Sequence, residues 1–365
     1  MFHIPFDFYP LLKPFLFLLD PEKAHNLSLL CLRKGLVPAA KIPNDPILNA
    51  TFGPLSLPHP IGLGAGFDKQ GDLIQELFNF GFSFAEIGGV TPKPQPGNPR
   101  PRMFRDVPHK AIINRFNFNS IGFQAFLRHL EAWHDATAME KERPIVGVNI
   151  AHGDNVKDEA EAYIRGIEMF APYISFATIN ISCPNAPDAR HLEEKDELKA
   201  LLERVTKAHA SLEKKPLLLV KISPDQTEAQ AKDIADAVLS VPLDGMIVGN
   251  STTDRPSSLP ASFAAEKGGL SGEPLFEKST KLLGLMYRLT EGKVPLIGCG
   301  GVFSGQDAYA KIRAGASLVQ IYTSMVFRGP YVVAHILEEM IPLLKRDGFS
   351  CIKEAVGADF RKESL

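Results

Sequence analysis

A cysteine close to two asparagines is the group of residues best suited to chemistry in this chain. Cys183 follows the apolar run 176–182, and Pro184 comes directly after it. Proline has no N–H group and ends a central strand, so we expect Cys183 at the carboxyl end of a buried β-strand. α/β folds place their chemistry at this end of their strands. A thiol there could remove a proton while the amides of Asn180 and Asn185 hold a polar substrate.

Further polar side chains stand at the ends of other apolar runs. Lys69 and Lys221 are two of them, and such lysines suit an anionic partner, either an electron-rich flavin ring or a substrate carboxylate. The alternative is an ordinary solvated lysine. Asn114, Asn149 and Asn250 join the two asparagines beside Cys183. Each alone is more typical of a turn or a helix cap, but together they suit a small, ring-shaped substrate that carries amide groups.

Two glycine-rich stretches could bring the backbone close to a ligand. Residues 298–301 read Gly-Cys-Gly-Gly, and residues 320–324 end the next apolar run. The last two strands of a barrel commonly form a phosphate site, which these stretches predict. Residues 268–272 form another loop that could offer N–H donors. The alternative for each stretch is a turn without a ligand.

Short apolar runs alternate with helix-like segments after residue 46. Eight runs alternating with helices favour a (β/α)8 TIM barrel in the α/β class, and a doubly wound open sheet is the competing fold. In a barrel the polar strand ends would converge on one face. The predicted strands are Ile61–Gly66, Phe84–Gly89, Ile145–Ile150, Phe176–Ser182, Leu217–Ile222, Gly245–Asn250, Pro295–Gly301 and Leu318–Thr323. The predicted helices include Asp72–Phe80, Asp158–Phe170, Glu194–Leu212, Thr227–Leu239, Lys278–Leu289 and Gln306–Ala314.

The first forty residues are crowded with apolar side chains. Asp20 and Pro21 have the sequence of a helix N-cap and first turn, so we predict a helix that runs to about Leu36. Composition leaves two roles open for this segment, packing on the core or dipping into a membrane surface. We therefore divide the chain into a helical extension, residues 1–42, and a barrel, residues 43–365.

Bulk composition excludes several classes of protein. The chain has 365 residues, 45% of them hydrophobic, and a net charge of −2, which predicts no nucleic-acid partner. No apolar run reaches the ~20 residues needed to cross a bilayer, and we expect no signal peptide. The cysteines show neither metal-ligand spacing nor a disulfide framework, so we expect no metal and a reducing cytosol. These cysteines are Cys31, Cys183, Cys299 and Cys351.

Ten short motifs follow one another along the chain. They are DPEKAH at 20–25, AGFDK at 65–69, GGVTPKPQPGN at 88–98, PRMFR at 101–105, INR at 113–115, FNS at 118–120, NISCPN at 180–185, VKISPD at 220–225, GGLSG at 268–272 and QIY at 320–322. Taken in this order, they resemble the dihydroorotate dehydrogenases, and in particular the membrane-associated, quinone-using class 2. The resemblance runs from about Tyr9 to Pro330, and the N-terminal helices favour class 2 over the soluble class 1.

The resemblance implies an FMN-dependent oxidation of dihydroorotate to orotate in pyrimidine biosynthesis, with electrons passed to a membrane quinone. It places Cys183 as the catalytic base. It implies a peripheral protein on the cytoplasmic face of the cell inner membrane, and we expect a monomer. The implied substrate-binding residues are Lys69, Asn114, Phe118, Asn180, Asn185, Asn250 and Ser251. The implied FMN-binding residues are Ala65, Gly66, Lys69, Gly89, Asn149, Asn180, Lys221, Asn250, Gly272, Gly301, Tyr322 and Thr323. The implied quinone tunnel is lined by His25, Arg105 and Tyr322.

The sequence departs from the class 2 pattern at a few of these positions. Class 2 normally has serine where Cys183 stands, and an ionised thiol is a stronger base than a neutral hydroxyl. Asn117 replaces a usual glycine, Gly89 a usual serine or threonine, and Ser251 a usual threonine. Two alternatives therefore stay open. One is a related flavin dehydrogenase with another pyrimidine substrate or a soluble acceptor, and the other is a flavin-binding barrel without catalysis.

Overall fold

Eight parallel strands close into a barrel in the computed structural model, which describes residues 7–140, 143–154, 156–182 and 192–361. In chain order the strands are β1 (Ala50–Phe52), β2 (Leu55–Leu57), β3 (Ile61–Leu63), β4 (Phe84–Val90), β5 (Met103–Asp106), β6 (Ala111–Asn114), β7 (Ile145–Ile150), β8 (Phe176–Asn180), β9 (Leu217–Ile222), β10 (Gly245–Val248), β11 (Gly269–Gly272), β12 (Leu296–Cys299) and β13 (Ala316–Ile321). The order around the barrel is β10-β12-β13-β3-β4-β7-β8-β9. The predicted TIM barrel is confirmed, and the open sheet is excluded.

Most of the helices connect the barrel strands or cover the outside of the barrel, and the first two precede it. In chain order the helices are α1 (Tyr9–Phe17), α2 (Pro21–Arg33), α3 (Ile74–Leu77), α4 (Phe123–Ala136), α5 (Glu159–Phe170), α6 (Lys195–Ala210), α7 (Glu228–Leu239), α8 (Ala261–Ala264), α9 (Phe276–Leu289), α10 (Gly305–Arg313), α11 (Thr323–Arg328), α12 (Val332–Arg346) and α13 (Ile352–Ala355). Short 3-10 turns lie at Pro46–Leu48, Phe78–Phe80, Ala171–Tyr173, Glu273–Leu275 and Ala358–Phe360.

Side-chain caps fix where several of these helices begin. Thr227 and Gln230 form a capping box at α7, and Ser304 and Asp307 form another at α10. Each box gives hydrogen-bond partners to N–H groups that the first helical turn leaves unpaired. The predicted helix 72–80 is shorter than expected, because α3 gives way to a 3-10 turn at Phe78.

Aromatic rings fill the lower end of the barrel. Side chains alternate along a strand, so Phe84 shares the inner face of β4 with Glu86, and Phe176 shares that of β8 with Asn180. The rings of Phe84 and Phe176 are 6.3 Å apart, and both are almost fully buried. Gly147 of β7 lies against the Phe176 ring, at a distance that leaves no room for a β-carbon. These packed rings form a closed floor beneath the polar residues of the next layer.

A smaller sheet stands beside the barrel mouth. β6 pairs antiparallel with both β5 and β11, which brings Asn114 opposite Gly269. We expected residues 268–272 to be a loop, and that expectation is wrong, because backbone pairing with β6 holds Gly269–Gly272 as a strand. A β-carbon on Gly272 would lie 2.1 Å from the carbonyl oxygen of Lys110, so only glycine permits this approach.

The two N-terminal helices form a separate layer. Asp20 caps α2 by accepting hydrogen bonds from the backbone N–H groups of Glu22 and Lys23, as predicted. α2 ends at Arg33, short of Leu36. α1 buries none of its side chains, and its exposed apolar residues belong to an outward face. That face carries Leu11, Leu12 and Phe15, exposed by 71%, 46% and 70%, and Leu18, which directly follows the helix, is exposed by 84%. None of the described helices combines the length and apolar character that crossing a bilayer requires.

The aromatic floor generates a prediction about core packing. Gly147→Ala would place its β-carbon about 2.1 Å from the Phe176 ring, so we expect the free energy of unfolding to fall by about 1–3 kcal/mol. Urea unfolding followed by circular dichroism measures this change. The added substitution Phe176→Leu removes the clash and should recover part of the loss. Unchanged stability of Gly147→Ala would contradict the tight packing described here.

Candidate active site

The carboxyl ends of the barrel strands surround a cavity of about 380 Å³. The end of nearly every barrel strand contributes to its wall, and α2 closes one side through His25 and Leu29. Its outer rim includes Asn114 from β6 and Gly272 from β11. The cavity thus lies where a TIM barrel places its chemistry, and the N-terminal extension forms part of its lining.

A buried ion pair lies at the base of the cavity. The ammonium of Lys221 in β9 is 2.9 Å from Oε2 of Glu86 in β4, and both side chains are at most 5% exposed. Gln320 donates from Nε2 to the same oxygen over 3.0 Å, and the backbone N–H of Ala65 donates over 3.2 Å. Asn149 donates to Oε1 over 2.6 Å. The Glu86 carboxylate therefore joins residues from four strand ends.

Charges and hydrogen bonds around the pair decide its ionisation. Burial alone would raise the pKa of Glu86 and lower the pKa of Lys221, because it disfavours both charges. The charge of Lys221 together with hydrogen bonds from Lys221, Asn149 and Ala65 outweighs burial and lowers the pKa of Glu86. The charge and hydrogen bond of Glu86, with a smaller contribution from Cys299, raise the pKa of Lys221. Both groups are charged at neutral pH. The cavity base therefore presents a fixed cation to any ring that enters it.

A chain of amide hydrogen bonds runs from this pair to the end of β8. Asn180 donates from Nδ2 to Oδ1 of Asn149 over 2.8 Å, and its own Oδ1 accepts from the N–H of Ser182 over 3.2 Å. Asn250, beyond β10, donates to the Ser182 hydroxyl over 2.9 Å. The predicted asparagines thus fix one another and the last described residue before Cys183.

Aromatic rings form part of the wall near α2. The imidazole of His25 packs edge-on against Phe67 with ring centroids 5.3 Å apart, and Phe67 packs against Tyr322 at 5.8 Å. Burial lowers the pKa of His25 to about 4, with a further lowering by the charge of Lys69. His25 is therefore neutral at physiological pH. The ammonium of Lys69 donates to Oδ1 of Asn119 over 2.5 Å and lies 4.9 Å from the Phe116 ring centroid.

Two arginines fasten α2 over the cavity. Arg100 and Arg102 each approach Oε1 of Glu22 to 2.9 Å, and the Glu22 side chain is 9% exposed. Burial acts to raise the pKa of Glu22, but the two guanidinium groups outweigh it and lower that pKa. Arg105 behaves differently. It donates from Nη2 to the carbonyl oxygens of Phe17 and Leu19, at the end of α1, over 2.8 and 3.2 Å.

The structure brings most of the residues singled out in the sequence to this one cavity. Those on its lining are His25, Ala65, Gly66, Lys69, Gly89, Asn114, Phe118, Asn149, Asn180, Lys221, Asn250, Ser251, Gly272, Gly301, Tyr322 and Thr323. Arg105 instead lines a neighbouring surface groove between Phe17 and Phe263. Cys183 and Asn185 lie outside the described residues. The roles assigned to all of these residues stay predictions.

Comparison with known proteins connects this site to one family. The sequence profile described as Dihydroorotate dehydrogenase matches residues 47–344. The chain belongs to the dihydroorotate dehydrogenase family. A protein of Azorhizobium caulinodans named dihydroorotate dehydrogenase (quinone) is 45% identical over 359 residues, which cover 97% of this chain and all of that protein. The mitochondrial protein of that name from Mus musculus is 42% identical, over 94% of this chain and 88% of its own.

Comparison with solved structures shows that the similarity extends over nearly the whole fold. The crystal structure of a dihydroorotate dehydrogenase from Eimeria tenella in complex with ferulenol superposes with a TM-score of 0.91. It is 37% identical and covers 94% of this chain and 96% of its own. A ligand-free structure from the same organism gives a TM-score of 0.90 at 38% identity. The family fold therefore includes the barrel and nearly all of the described chain.

Sequence reasoning missed the residues that hold the predicted ones in place. Glu86 was not singled out, although a lone carboxylate inside the otherwise apolar strand FAEIGGV is a detectable signal of a buried ion pair. Gln320 was read only as part of a strand end. Glu22 was quoted in a motif without a role, because its partners Arg100 and Arg102 are distant in sequence.

The buried pair predicts a large effect for a conservative change. Glu86→Gln leaves the Lys221 ammonium buried without an anion, so we expect the free energy of unfolding to fall by about 3 kcal/mol or more. Urea unfolding measures this loss. Adding Lys221→Met removes the stranded charge and should return part of the stability.

A matched control comes from the exposed pair Lys110–Glu273, also 2.9 Å apart. Its side chains are 45% and 48% exposed, so Glu273→Gln should cost less than about 1 kcal/mol. Equal losses from Glu86→Gln and Glu273→Gln would contradict the importance of the buried pair.

Proposed function

We propose that this protein is a quinone-dependent dihydroorotate dehydrogenase that uses FMN to oxidise dihydroorotate to orotate in pyrimidine biosynthesis. The observation that carries the proposal is the cavity whose base holds the Glu86–Lys221 pair and the linked amides of Asn149 and Asn180. Relatives at 41–46% identity over nearly the whole chain bear this enzyme name. The enzyme name of these relatives and the polar lining of the cavity both support the proposed activity, and the name also supports the proposed substrate and acceptor.

The cavity lining fits the phosphate end of a flavin mononucleotide. Gly300 and Gly301 have φ values of 102° and 77°, and a β-carbon on Gly301 would lie 2.3 Å from the α-carbon of Phe276. Only glycine lets this loop approach the start of α9 so closely. Among the described residues, the buried Ser324 hydroxyl has no hydrogen-bond partner. We infer that Gly272, Gly301, Thr323 and Ser324 form the phosphate site.

The base of the cavity fits the ring end of the same molecule. Gly89 has a φ of 95°, and the atom nearest to an added β-carbon there is Oδ1 of Asn149, 4.0 Å away, so this wall is open. The Gln320 amide oxygen lacks a partner among the described residues. Lys221 would stabilise negative charge on the ring, and FMN, when bound, supplies the hydride acceptor for the oxidation. Ala65, Gly66 and Tyr322 would line its other face.

Cys183 is the proposed base that takes the proton from C5 of the substrate. Dihydroorotate becomes orotate when this proton and the hydride at C6 leave, which forms one C=C bond. The amides of Asn114, Asn185 and Asn250 would bind the substrate, with Ser251 and Phe118 beside it. Lys69 would pair with the carboxylate. Support for this arrangement comes from the tether of Ser182, the residue before the base, to Asn180 and Asn250.

The proposed acceptor path lies on the α2 side of the cavity. The aromatic rings of Phe67 and Tyr322 line this side, and the neutral imidazole of His25 adds no charge to the surface that an uncharged quinone would contact. Tyr322 is shared by this wall and the flavin site. Arg105 is proposed to face this path, and its hydrogen bond to the carbonyl oxygen of Phe17 also holds the end of α1 beside it. The domain boundary near residue 42 would then separate a quinone-delivering extension from the catalytic barrel.

The outward face of α1 is proposed to rest on the cytoplasmic side of the cell membrane. Its leucines and Phe15 are largely exposed to solvent, which is costly unless they enter lipid. The protein would be a peripheral monomer that reaches its quinone through this contact. Insertion of the apolar side chains would place the α2 wall of the cavity near the membrane.

An anaerobic absorbance titration with L-dihydroorotate tests the activity. We expect the purified protein to carry a flavin spectrum that bleaches on titration. A flavin that does not bleach would overturn dihydroorotate as the substrate and favour another pyrimidine or a silent barrel. A bleached flavin that passes electrons to fumarate or NAD and not to quinone would overturn the acceptor.

The role of Cys183 has its own prediction. Cys183→Ala should slow flavin reduction by dihydroorotate by about 100-fold or more while FMN stays bound, because general-base catalysis is lost. Stopped-flow absorbance measures the rate. Cys351→Ala is the matched control, since Cys351 lies outside the cavity lining. A Cys183→Ala variant with the wild-type rate would rule out the base assignment.

The proposed membrane contact predicts that vesicle binding and quinone turnover can be impaired while flavin reduction is unchanged. Phe15→Ser combined with Leu18→Ser should reduce co-sedimentation with lipid vesicles and turnover of vesicle-borne quinone, because buried apolar area drives the contact. Flavin reduction by dihydroorotate should be unchanged. Met139→Ser serves as control, since Met139 is 97% exposed on the barrel side. Unaltered vesicle binding by the double variant would contradict the proposed membrane face.

A further inference from the structure

Lys311 is a fully buried lysine behind the glycine loop of the cavity. It lies on α10 with 0% of its surface exposed. Its ammonium donates to the hydroxyls of Ser279 and Thr280 in α9 over 2.9 and 3.0 Å. Its stem passes beneath β12, where a β-carbon on Gly298 would lie 3.1 Å from Cδ of Lys311. Because burial of an ammonium group costs free energy, the interactions around it must offset that cost.

Its hydrogen bonds lead directly to the phosphate loop. The Ser279 hydroxyl lies 3.0 Å from the carbonyl oxygen of Gly300. Since Ser279 accepts from the ammonium, its single proton is available for that carbonyl or for the carbonyl oxygen of Phe276, which lies 3.1 Å away. Thr280 donates to the carbonyl oxygen of Phe276 over 2.7 Å, and Phe276 is the residue that packs against Gly301. Lys311 thus braces both sides of the contact between Gly300–Gly301 and the start of α9.

The charge of Lys311 is not matched nearby. Among the residues that the structure describes, it has no ion-pair partner, and the ring of Phe276 lies 5.3 Å from the ammonium. Burial lowers the pKa of Lys311 to about 7, although Cys299 and Asp307 act in the opposite direction. A dianionic group in the cavity would favour the charged ammonium. The loop braced by Lys311 is the one to which we assign such a group.

We propose that Lys311 is a positioning residue for a phosphate monoester, which sets the shape of the Gly300–Gly301 loop and supplies its compensating charge from behind. This inference rests on the proposed flavin function and names a residue that acts through Ser279 and Thr280 without touching the ligand. It predicts that Lys311 matters for the phosphate of FMN and not for its ring.

The test compares two flavins that differ only in the phosphate. Flavin-free protein is titrated with FMN and, separately, with riboflavin, and quenching of flavin fluorescence gives each affinity. Lys311→Met, which keeps the length of the stem, should weaken FMN binding by about tenfold or more, because a charge near a dianion is lost. Riboflavin binding should change by less than about threefold. Lys281→Met on the exposed side of α9 is the control and should alter neither affinity.

A second variant keeps the charge and cuts the hydrogen-bond bridge. Ser279→Ala should also weaken FMN binding selectively, and it provides the test if Lys311→Met does not fold. An unchanged FMN-to-riboflavin affinity ratio in both variants would overturn the inference. Failure of the wild-type protein to bind either flavin would instead overturn the proposed function.

Discussion

The ion pair between Glu86 and Lys221 is the interaction on which the rest of the site depends. Two charges without solvent are stable only when they meet each other and when every remaining lone pair and proton has a partner. Glu86 satisfies this condition through Lys221, Gln320, Asn149 and the backbone of Ala65. Strands that are distant in sequence are therefore tied to one carboxylate. The positions of the amides that face a ligand follow from this tie.

Strand periodicity explains how apolar and polar layers coexist in one barrel. The inner face of β4 carries Phe84 and then Glu86, and the inner face of β8 carries Phe176 and then Asn180. The first position of each strand closes the floor, and later positions supply polar groups to the cavity. If either strand shifted by one residue, its aromatic ring and its polar side chain would both turn to the outer face, and their neighbours would point inward. The strand register therefore sets the packing of the floor and the position of the site together.

Local patterns in the sequence predicted the barrel and most of the cavity lining. Runs of β-branched residues fix the strands, and strand ends in a barrel necessarily share a face, so Asn149, Asn180 and Lys221 could be grouped without a structure. Interactions between distant segments could not be predicted in this way. The hydrogen bonds from the Arg105 guanidinium to the carbonyl oxygens of Phe17 and Leu19, at the end of α1, are one example. Residues 268–272 were expected as a loop, because pairing with β6 leaves no local trace.

The aromatic floor has a consequence for the order of events in the proposed reaction. Phe84 and Phe176 close the base of the barrel, so molecules reach its interior from the mouth. The mouth is divided between the α2 wall and the rim that carries Asn114. Dihydroorotate, which would reduce the flavin, and quinone, which would reoxidise it, would therefore approach the flavin from two sides of one opening without contacting each other. Such a layout suits a ping-pong cycle, in which each half-reaction is completed before the other begins.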